Sequence, residues 1–435
     1  MPTKNKKIVT FLIIAAAFVS VIGFAADLHN TLTYPGSDFR NRVVGARLML
    51  EGIDPYFFKW QPGLSERFYD PLDNRNELVS KLSVPPTVLT LHAAIAGLSY
   101  IQQKIVWLIV QWVAFVGTVW IFLNDGRSAN KRKWMLTISF FLANSLFWRL
   151  HVNSGQTYIL YTFLLAVGWF FINHQFKYGH FISGFFTGMT ASLRPSFVLF
   201  FVPAMLRKKR AFLLGGTLGF LSSVLFSCRV VGAFIWQQYA LTILQMTGLV
   251  DLSTYLPVAE RTLPNLDAAY PNIIEGFDWR IRNPLEQYFA DTSFYLPLNI
   301  LRVPNERGIL LASFVIILVA LSLYFIKYVS EQDDTRYAFL FGVLICLASD
   351  FFLPIPRYPY YDVQMLLPLL IIIELAKPEY LASRRINAAL ILGLLLSVVG
   401  FLVVPRALFL SAFLIAFYVF VMPIMLLRRE SEEAG

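Results

Sequence analysis

Ile309 to Ile326 reads ILLASFVIILVALSLYFI, a run of apolar and small residues without a charged side chain. A run of this length matches the hydrocarbon core of a bilayer, which a helix crosses in about 20 residues. The whole chain of 435 residues is similarly apolar, with 57% hydrophobic residues, 15% charged residues and a mean hydropathy of +0.59. A soluble chain would carry about 25% charged residues. The sequence therefore predicts an all-α polytopic membrane protein and excludes the soluble classes.

Further apolar runs extend this prediction to one membrane-embedded domain, residues 1–435, built as a helical bundle of about ten to thirteen spans. The predicted spans lie near 8–26, 84–100, 105–123, 135–150, 157–172, 181–206, 211–235, 309–326, 337–353, 363–376, 386–404 and 407–427. Two long loops remain, 27–83 and 236–308, and both are expected on one external face. No internal repeat is visible, which disfavours an inverted-repeat transporter.

The net charge of +10 is gathered in short segments at the ends of spans, such as Arg207 to Arg210. This distribution is typical of cytoplasmic loops, so it indicates a membrane and argues against nucleic acid as a partner. Alternation from an internal N-terminus puts 207–210, 327–336 and 377–385 inside. The same alternation puts 124–134 outside, although that segment carries Arg127 and three further basic residues. Either one short apolar run is re-entrant, or the charge rule is violated at this segment.

The first external loop carries the most informative sequence. Apolar residues recur at helical spacing from Phe39 to Leu50, so an amphipathic interfacial helix is expected, with its N-cap at Asp38 or the serine before it. As a cap, Asp38 would contribute about 1 kcal/mol. Arg40 and Arg42 lie within one turn of it, however, and an acid beside two arginines at a membrane surface can combine a base with a phosphate clamp.

Polar residues at or between other apolar runs supply further candidates. Asp54 precedes a proline, which predicts a turn, and Gln156 lies in a polar break that is either a turn or a ligand contact. Arg194 lies inside an apolar run, where a charge costs roughly 2.5–3.5 kcal/mol on insertion scales and usually faces a cavity, a partner or the interface. Arg357 and Asp362 share a tyrosine-rich loop that suits a polar head group or an aromatic belt.

Metal and cofactor chemistry has little support in the sequence. The five histidines make no metal-ligand spacing, and no glycine-rich phosphate loop or nucleophile elbow is present. Asp70 and Asp73 are spaced as in a weak divalent-ion site, but this spacing is common among loop acids. We therefore predict no cofactor and no metal ligands.

These pieces together resemble a known family. Residues 37–56 read SDFRNRVVGARLMLEGIDPY, and Pro85-Pro86, Gly155-Gln156 and Leu193-Arg194-Pro195 follow in order. The pattern is similar to that of the polyprenyl-phosphate-sugar-dependent glycosyltransferases of the GT-C superfamily, most closely glycosyltransferase family 87, which includes mannosyltransferases. Two positions depart from it: the family often has Trp-Asp-His where this chain has Tyr361-Asp362-Val363, and Leu-Lys-Pro is commoner than Leu-Arg-Pro.

The resemblance implies a GT-C-type bundle whose site lies at the external face, and the expected location is a bacterial inner membrane. It implies that the enzyme transfers a sugar, with mannose as the first candidate, from a polyprenyl-phosphate donor to a lipid-linked or glycan acceptor with inversion. It also implies that Asp38 is the catalytic base. The residues expected to bind the donor phosphate are, in order, Arg194, Arg357 and Arg40. Those expected to shape the loop or meet the acceptor are Asp54, Tyr56, Gln156 and Asp362.

Other function classes also combine many spans with a large external loop. A lipid-linked oligosaccharide polymerase or ligase would use arginines and a histidine in later loops, and the first-loop motif disfavours it. A transporter or scramblase would carry coupling acids in mid-span, whereas Asp350 and Glu374 lie near span ends. A structural scaffold would need none of the charged residues singled out above.

Overall fold

The computed structural model is a helical bundle, and it describes residues 2–74, 77–125, 128–174, 176–246, 250–251, 270–289, 291–330, 334–353, 357–377, 384–400 and 406–434. The all-α class predicted from the sequence is confirmed. Within the described ranges the α-helices are α1 (Pro2–Thr33), α2 (Asp38–Leu50), α3 (Pro86–Ala93), α4 (Tyr100–Asp125), α5 (Ala129–Ala143), α6 (Leu146–Ser154), α7 (Tyr158–Asn173), α8 (Gly179–Leu193), α9 (Val202–Leu206), α10 (Arg210–Val231), α11 (Ala233–Met246), α12 (Tyr295–Ile300), α13 (Glu306–Tyr328), α14 (Asp334–Phe352), α15 (Leu366–Leu375), α16 (Arg384–Val399) and α17 (Arg406–Ala434).

Several of these helices can cross a membrane, as predicted. Five described segments are long and apolar enough: Tyr100–Asn124, Arg210–Val231, Glu306–Tyr328, Thr335–Phe352 and Ala407–Leu427. The pair α5 and α6, bent by 54°, makes a sixth if it is one span. Shorter apolar segments add to the bundle at Tyr158–Asn173, Pro195–Leu206 and Asn387–Val399. The polytopic class is thus confirmed, while the count of ten to thirteen spans stays a prediction.

The predicted span at 84–100 is wrong. The structure has instead the 8-residue helix α3, and both flanks of it lie at the same end of the bundle. Near its start, Thr87 Oγ1 donates to the carbonyl of Ser192 at the end of α8, at 2.5 Å. After it, Tyr100 donates its hydroxyl to the carbonyl of Pro35 beside α2, at 2.7 Å. We call this end of the bundle, which holds α2, the site face. The segment is apolar because it is buried among α2, α8 and α10.

This correction changes the side of residues 124–134. Since α4 begins at the site face, that segment follows at the opposite end of the bundle. There Lys131 Nζ donates to the carbonyl of Glu374 at 2.5 Å, and the Glu374 carboxylate accepts from Trp169 at 2.8 Å and lies 3.8 Å from Arg336. Alternation put this segment on the same side as the first loop, and the structure instead places it at the opposite end of the bundle, beside other basic residues. We call this end, which holds Lys131 and Arg336, the basic face.

The predicted span 181–206 consists of two segments. The helix α8 ends before Arg194, which takes an extended backbone because a proline follows it, and a 3-10 helix then begins. The helices α8 and α10 run parallel, because positions 184 and 188 of α8 meet successive turns of α10. They pack so closely that a Cβ at Gly184 would lie 2.0 Å from the Phe212 carbonyl oxygen. The segment between them therefore carries the chain back to the basic face.

The first loop and the large loop cover the site face together. The helix α2 forms as predicted, but it is not an exposed amphipathic helix, since every residue from Phe39 to Met49 is buried. Part of the cover is a hairpin in the large loop, in which β1 (Ile273–Ile274) pairs antiparallel with β2 (Phe277–Asp278). Its turn has positive φ angles at Glu275 (48°) and Gly276 (90°), as two-residue hairpins require.

Candidate active site

The first turn of α2 carries Asp38 at the site face. The N-cap is Ser37, which makes no capping bond through its side chain, so Asp38 lies one position inside the helix. Its Oδ2 accepts hydrogen bonds from Gln156 Nε2 at 2.6 Å and from the Tyr360 hydroxyl at 3.4 Å. The carboxylate is partly exposed and has no ion pair with the residues that the structure describes. These contacts make Asp38 a candidate general base.

The orientation of Gln156 is fixed by Arg42. Arg42 donates through Nη2 to Gln156 Oε1 and through Nη1 to the Gly155 carbonyl, both at 2.5 Å. Because a guanidinium only donates, the amide oxygen must face Arg42, and the amide nitrogen is left to face Asp38. Gly155 adopts a φ of +65°, and a Cβ there would lie 2.5 Å from Phe39. This turn therefore needs glycine to bring Gln156 against α2.

Three tyrosines connect Asp38 to Arg194. The ring centroids of Tyr360 and Tyr361 lie 5.3 Å apart, and that of Tyr158 lies 5.9 Å and 4.4 Å from them respectively. The Arg194 guanidinium lies 4.9 Å from the Tyr158 centroid and 5.2 Å from that of Tyr361. Such cation–π contacts hold a guanidinium in one position. The predicted base and the first predicted phosphate-binding residue thus border one aromatic cluster.

Arg194 also has polar partners at the end of α14. Its Nη2 is paired with Asp350, and its Nη1 donates to Gln364 Oε1 at 3.3 Å. Its side chain remains 17% exposed.

Arg357 and Asp362 form a buried pair, with side chains 1% and 0% exposed and an Nη2–Oδ1 distance of 2.6 Å. Arg357 Nη1 also donates to Thr292 Oγ1 at 2.9 Å, and the Thr292 amide donates back to the Arg357 carbonyl at 2.6 Å. These bonds join the late loop to the segment before α12. Both groups therefore shape the loops in this structure, and neither is open to solvent.

Arg40 lies on the other side of α2, away from Asp38. It donates through Nη1 to Glu275 at 2.6 Å and through Nε to the Tyr69 carbonyl at 2.8 Å, and its side chain is 0% exposed. Arg47 donates to the same Glu275 through Nη2 at 3.0 Å. Burial alone would raise the pKa of Glu275, but the hydrogen bonds and charges of Arg47 and Arg40 outweigh it and lower that pKa to about 2. The three residues hold the hairpin against α2, and we call this cluster of Arg40, Arg47 and Glu275 the clasp.

Asp54 and Tyr56 shape the first loop. Asp54 Oδ1 accepts from the Tyr56 amide at 2.9 Å, which closes a turn, and burial raises the pKa of Asp54. The Tyr56 hydroxyl donates to the Val84 carbonyl at 2.8 Å, and its buried ring packs against Leu82 and Leu89. A role for either in meeting the acceptor stays a prediction.

Sequence analysis did not single out Glu286, which lies near Asp38, or the two basic residues near Glu286. Burial raises the pKa of Glu286, a carboxyl that is also close enough to sense the charges of Arg282, Asp38 and Lys81. Arg282 and Lys81 are exposed. They come from loops about 200 residues apart in sequence, so no local spacing relates them. Tyr360 was visible only as one tyrosine among three in its loop.

A metal site has no geometric support in the part of the chain described here. Among those residues, no group of three or more histidine, cysteine, aspartate or glutamate side chains could hold an ion. Asp73 pairs with Lys59 at 2.9 Å, and Asp70 accepts from the Leu72 amide at 3.0 Å. The prediction of a metal-free site stays a prediction.

The bundle brings together a carboxylate, an amide, three tyrosines and a partly exposed arginine at one end. The fold and this site define a multi-pass membrane protein with an enzyme-like site. Residues 84–349 match the model of Glycosyltransferase family 87, and the chain belongs to that family. The glycosyltransferase activity expected from the sequence is thereby confirmed. No curated protein and no solved structure matches the chain. The matched segment includes Gln156 and Arg194 but neither Asp38 nor Arg357.

Proposed function

We propose that the protein transfers a sugar, with mannose as the first candidate, from a polyprenyl-phosphate donor to a lipid-linked or glycan acceptor, with inversion at the anomeric carbon. The observation that carries the proposal is the Asp38 carboxylate, which faces neutral donors and has no ion pair among the described residues. Membership of family 87 supplies the glycosyl transfer. The donor, the acceptor and the mechanism are the proposed parts.

Asp38 is the proposed general base. The acceptor hydroxyl attacks the anomeric carbon while the bond from that carbon to the phosphate oxygen breaks, and Asp38 takes the hydroxyl proton. The contacts of the carboxylate support this role, because Gln156 and Tyr360 both donate to Oδ2 and leave Oδ1 for the acceptor. An arginine paired with the carboxylate would make it a weaker base.

Arg194 is the proposed partner of the leaving phosphate. Phosphate leaves as a stable anion, so the reaction needs a cation to stabilise the developing charge more than it needs a general acid. Arg194 is 17% exposed, whereas the side chains of Arg40 and Arg357 are 0% and 1% exposed. Exposure therefore supports the first of the three arginines. Donor binding would exchange the Asp350 carboxylate for the phosphate as the partner of Arg194.

We propose that the site face is external, in a bacterial inner membrane. Lys131 and Arg336 lie together at the basic face, where Arg207 also donates to the carbonyl of Val329 at 2.8 Å. Basic residues at span ends favour the cytoplasmic side of a membrane. Asp38, at the opposite end of the bundle, would then meet its substrates outside.

The test is release of polyprenyl phosphate by the purified protein, offered a panel of polyprenyl-phosphate hexoses and a lipid extract as the source of acceptor. We expect turnover with one donor and a loss of about 10²–10⁴-fold in Asp38→Asn, because the acceptor proton then has no base. The matched control is Asp278→Asn, which alters a carboxylate that is 24% exposed and pairs with Arg280 in the hairpin. Its turnover should equal that of the wild type.

Two outcomes would contradict the proposal. Equal turnover in Asp38→Asn and Asp278→Asn would remove Asp38 from the chemistry. Turnover with nucleotide sugars alone would refute the polyprenyl-phosphate donor.

A further inference from the structure

The segment 283–289 lies on the site face and is fastened at both of its ends. At its start, Asn283 Nδ2 donates to Asn153 Oδ1 at 2.6 Å, and Asn283 is 3% exposed. At its end, the rings of Phe289 and Tyr360 meet edge to face at 5.9 Å. Asn153 lies three positions before the glutamine that donates to the proposed base, and Tyr360 is the second donor to that base. We call this segment the bridge, because its ends contact the two segments that hold the proposed base.

The bridge has a defined backbone. It forms a short 3-10 helix, Pro284–Tyr288, whose N-cap Asn283 accepts through Oδ1 from the Leu285 amide at 2.9 Å. The side chains of Leu285 and Phe289 pack against the main hydrophobic core of the bundle. Glu286 lies between them and is partly buried. The carboxyl of Glu286 is therefore carried by a stretch of chain that is anchored on both sides of it.

Glu286 has no structural partner in the part of the chain that the structure describes. It is the third residue after the N-cap, from which the glutamate of a capping box folds back to the N-cap amide. That bond is not made here, and the carboxylate makes no other hydrogen bond or ion pair with a described residue. Burial raises the pKa of Glu286, because the ionised carboxylate has lost part of its water. A carboxylate in this state gains from a ligand that supplies a donor.

The charges around Glu286 favour a neutral ligand. The charge of Asp38 also raises the pKa of Glu286, whereas the charges of Arg282 and Lys81 lower it. Two acids and two bases thus lie within reach of one another, and their formal charges cancel. A strongly anionic or cationic ligand would meet charges of both signs, so electrostatic complementarity favours an uncharged molecule that donates hydrogen bonds.

An exposed aromatic ring lies beside the same acids. Tyr358 is 37% exposed, and its ring centroid lies 5.5 Å from that of Tyr360 and 6.1 Å from that of Phe289 on the bridge. Burial raises the pKa of Tyr358, and the charge of Asp38 raises it further, so Tyr358 also lies near Asp38. A ring with several hydroxyls can pack its C–H groups on such a surface while its hydroxyls reach the neighbouring carboxylates.

We propose that Glu286 is an acceptor-binding residue, whose carboxylate accepts a hydrogen bond from one hydroxyl of a polyhydroxylated ring while a neighbouring hydroxyl of that ring reaches Asp38. The acceptor class is then a neutral sugar or similar polyol, packed beside Tyr358. This inference rests on the proposed function for the reaction itself. The hydroxyl at Asp38 forms the bond to the donor's anomeric carbon, the bond from that carbon to the phosphate oxygen breaks, and the proton passes to Asp38. Glu286 binds and orients the ring and takes no proton.

Binding is tested with methyl pyranosides of mannose, glucose and galactose by saturation-transfer NMR titration of the purified full-length protein, in a detergent without a sugar head group. We expect weak, saturable binding of at least one glycoside. Glu286→Ala should lower the affinity about fivefold to thirtyfold, the effect of losing a hydrogen bond to a charged group, and Glu286→Gln should restore part of it. The matched control is Gln287→Ala, which truncates the exposed neighbour on the same turn. Its affinity should equal that of the wild type.

Two further readouts distinguish binding from a structural role. Because Glu286 has no partner among the described residues, Glu286→Ala should keep the melting temperature of Gln287→Ala. In the turnover assay, Glu286→Ala should need about fivefold to thirtyfold more lipid extract for half-saturation while kcat changes only a few-fold, whereas Asp38→Asn should lose kcat.

The outcomes for Glu286 and for the proposed function are separable. If Glu286→Ala alone weakens glycoside binding while the wild type turns over no donor, the binding role is supported and the proposed function fails. If Asp38→Asn loses turnover while Glu286→Ala binds glycosides as well as Gln287→Ala, the proposed function stands and the role of Glu286 is overturned. Absence of glycoside binding to the wild type, or a fall in melting temperature confined to Glu286→Ala, would also overturn it.

Discussion

The two sides of α2 hold two acids in opposite states. On one side Asp38 meets the neutral donors Gln156 and Tyr360. On the other side Glu275 is paired with both Arg40 and Arg47, and it also accepts from a backbone amide. The paired acid fastens a hairpin to the helix, while the unpaired acid is available for chemistry. The partners of a carboxylate in space, rather than arginines nearby in sequence, distinguish the two roles.

Helical spacing explains why the arginines divide in this way. Asp38 and Arg40 are two positions apart, which separates their side chains by about 200° around the helix axis. Arg42 follows Asp38 by four positions, so it shares the face of Asp38 and reaches Gln156. Arg47 follows Arg40 by seven positions, or two turns, and therefore joins it on Glu275. A helix with this register cannot use Arg40 as a clamp beside Asp38.

The largest effect on turnover is expected from Gln156→Glu, which gives Asp38 a charged neighbour. The new carboxylate keeps the contact with Arg42 but lies against Asp38 Oδ2, where the amide now donates at 2.6 Å. Two carboxylates in contact do not both ionise readily. We expect turnover at neutral pH to fall about tenfold to a hundredfold, and the acidic limb of the pH–rate profile to move to higher pH.

Gln156→Leu is the matched control, because it removes the bond to Asp38 without adding a charge. Its turnover should fall without the alkaline recovery. If Gln156→Glu loses activity equally at every pH, the amide does not act through Asp38. The difference between Asp38 and Glu275 would then say nothing about catalysis.

The Asp38 side of this comparison was accessible from the sequence. The motif around Asp38 identified the acid, its helix and the distant Gln156, because these are local features with a recognisable order. The order of preference among Arg194, Arg357 and Arg40 stays a prediction, and the sequence alone could not show how deeply each side chain is buried. Arg357 illustrates the difficulty: its partners Asp362 and Thr292 lie in two loops, and only the folded chain shows that together they bury its guanidinium.

The membrane spans show a similar limit. Hydropathy detects apolar composition, and α3 is apolar because other helices surround it, so the run at 84–100 could not be distinguished from a crossing. Removing that crossing moves 124–134 to the basic face, and the break at Arg194 then restores the alternation for every later segment. The false crossing at 84–100 and the missed break at Arg194 therefore cancel in the later part of the chain. Only the basic segment 124–134 indicated that the span count was wrong.

A second prediction concerns the stability of the variant Glu275→Gln, which changes the acid on the other side of α2. This variant leaves Arg40 and Arg47 without a negative partner, and both guanidinium groups are buried. We expect a loss of about 1–3 kcal/mol, discounted for the 22% exposure of the Glu275 side chain, and a fall of several degrees in melting temperature. Turnover should change only a few-fold. Asp278→Asn in the same hairpin should leave the melting temperature unchanged, and an equal fall in both variants would show that the clasp contributes nothing specific.

The smallest expected effect is a difference in acid response between Glu275 and Asp70. Because the arginines lower the pKa of Glu275 from its ordinary 4.5 to about 2, its stabilising contribution is present above pH 4.5 and is lost as the pH falls toward 2. Burial raises the pKa of Asp70 from its ordinary 3.8 to about 6, so stability should instead rise as the pH falls from 6 toward 3.8. Melting temperatures across this range should therefore show the gap between the wild type and Glu275→Gln closing below pH 4.5, and the gap between the wild type and Asp70→Asn changing mainly between pH 6 and 3.8. Gaps that stay constant with pH would mean that neither carboxyl is held as its contacts indicate, and the clasp would then be only a neutral contact between hairpin and helix.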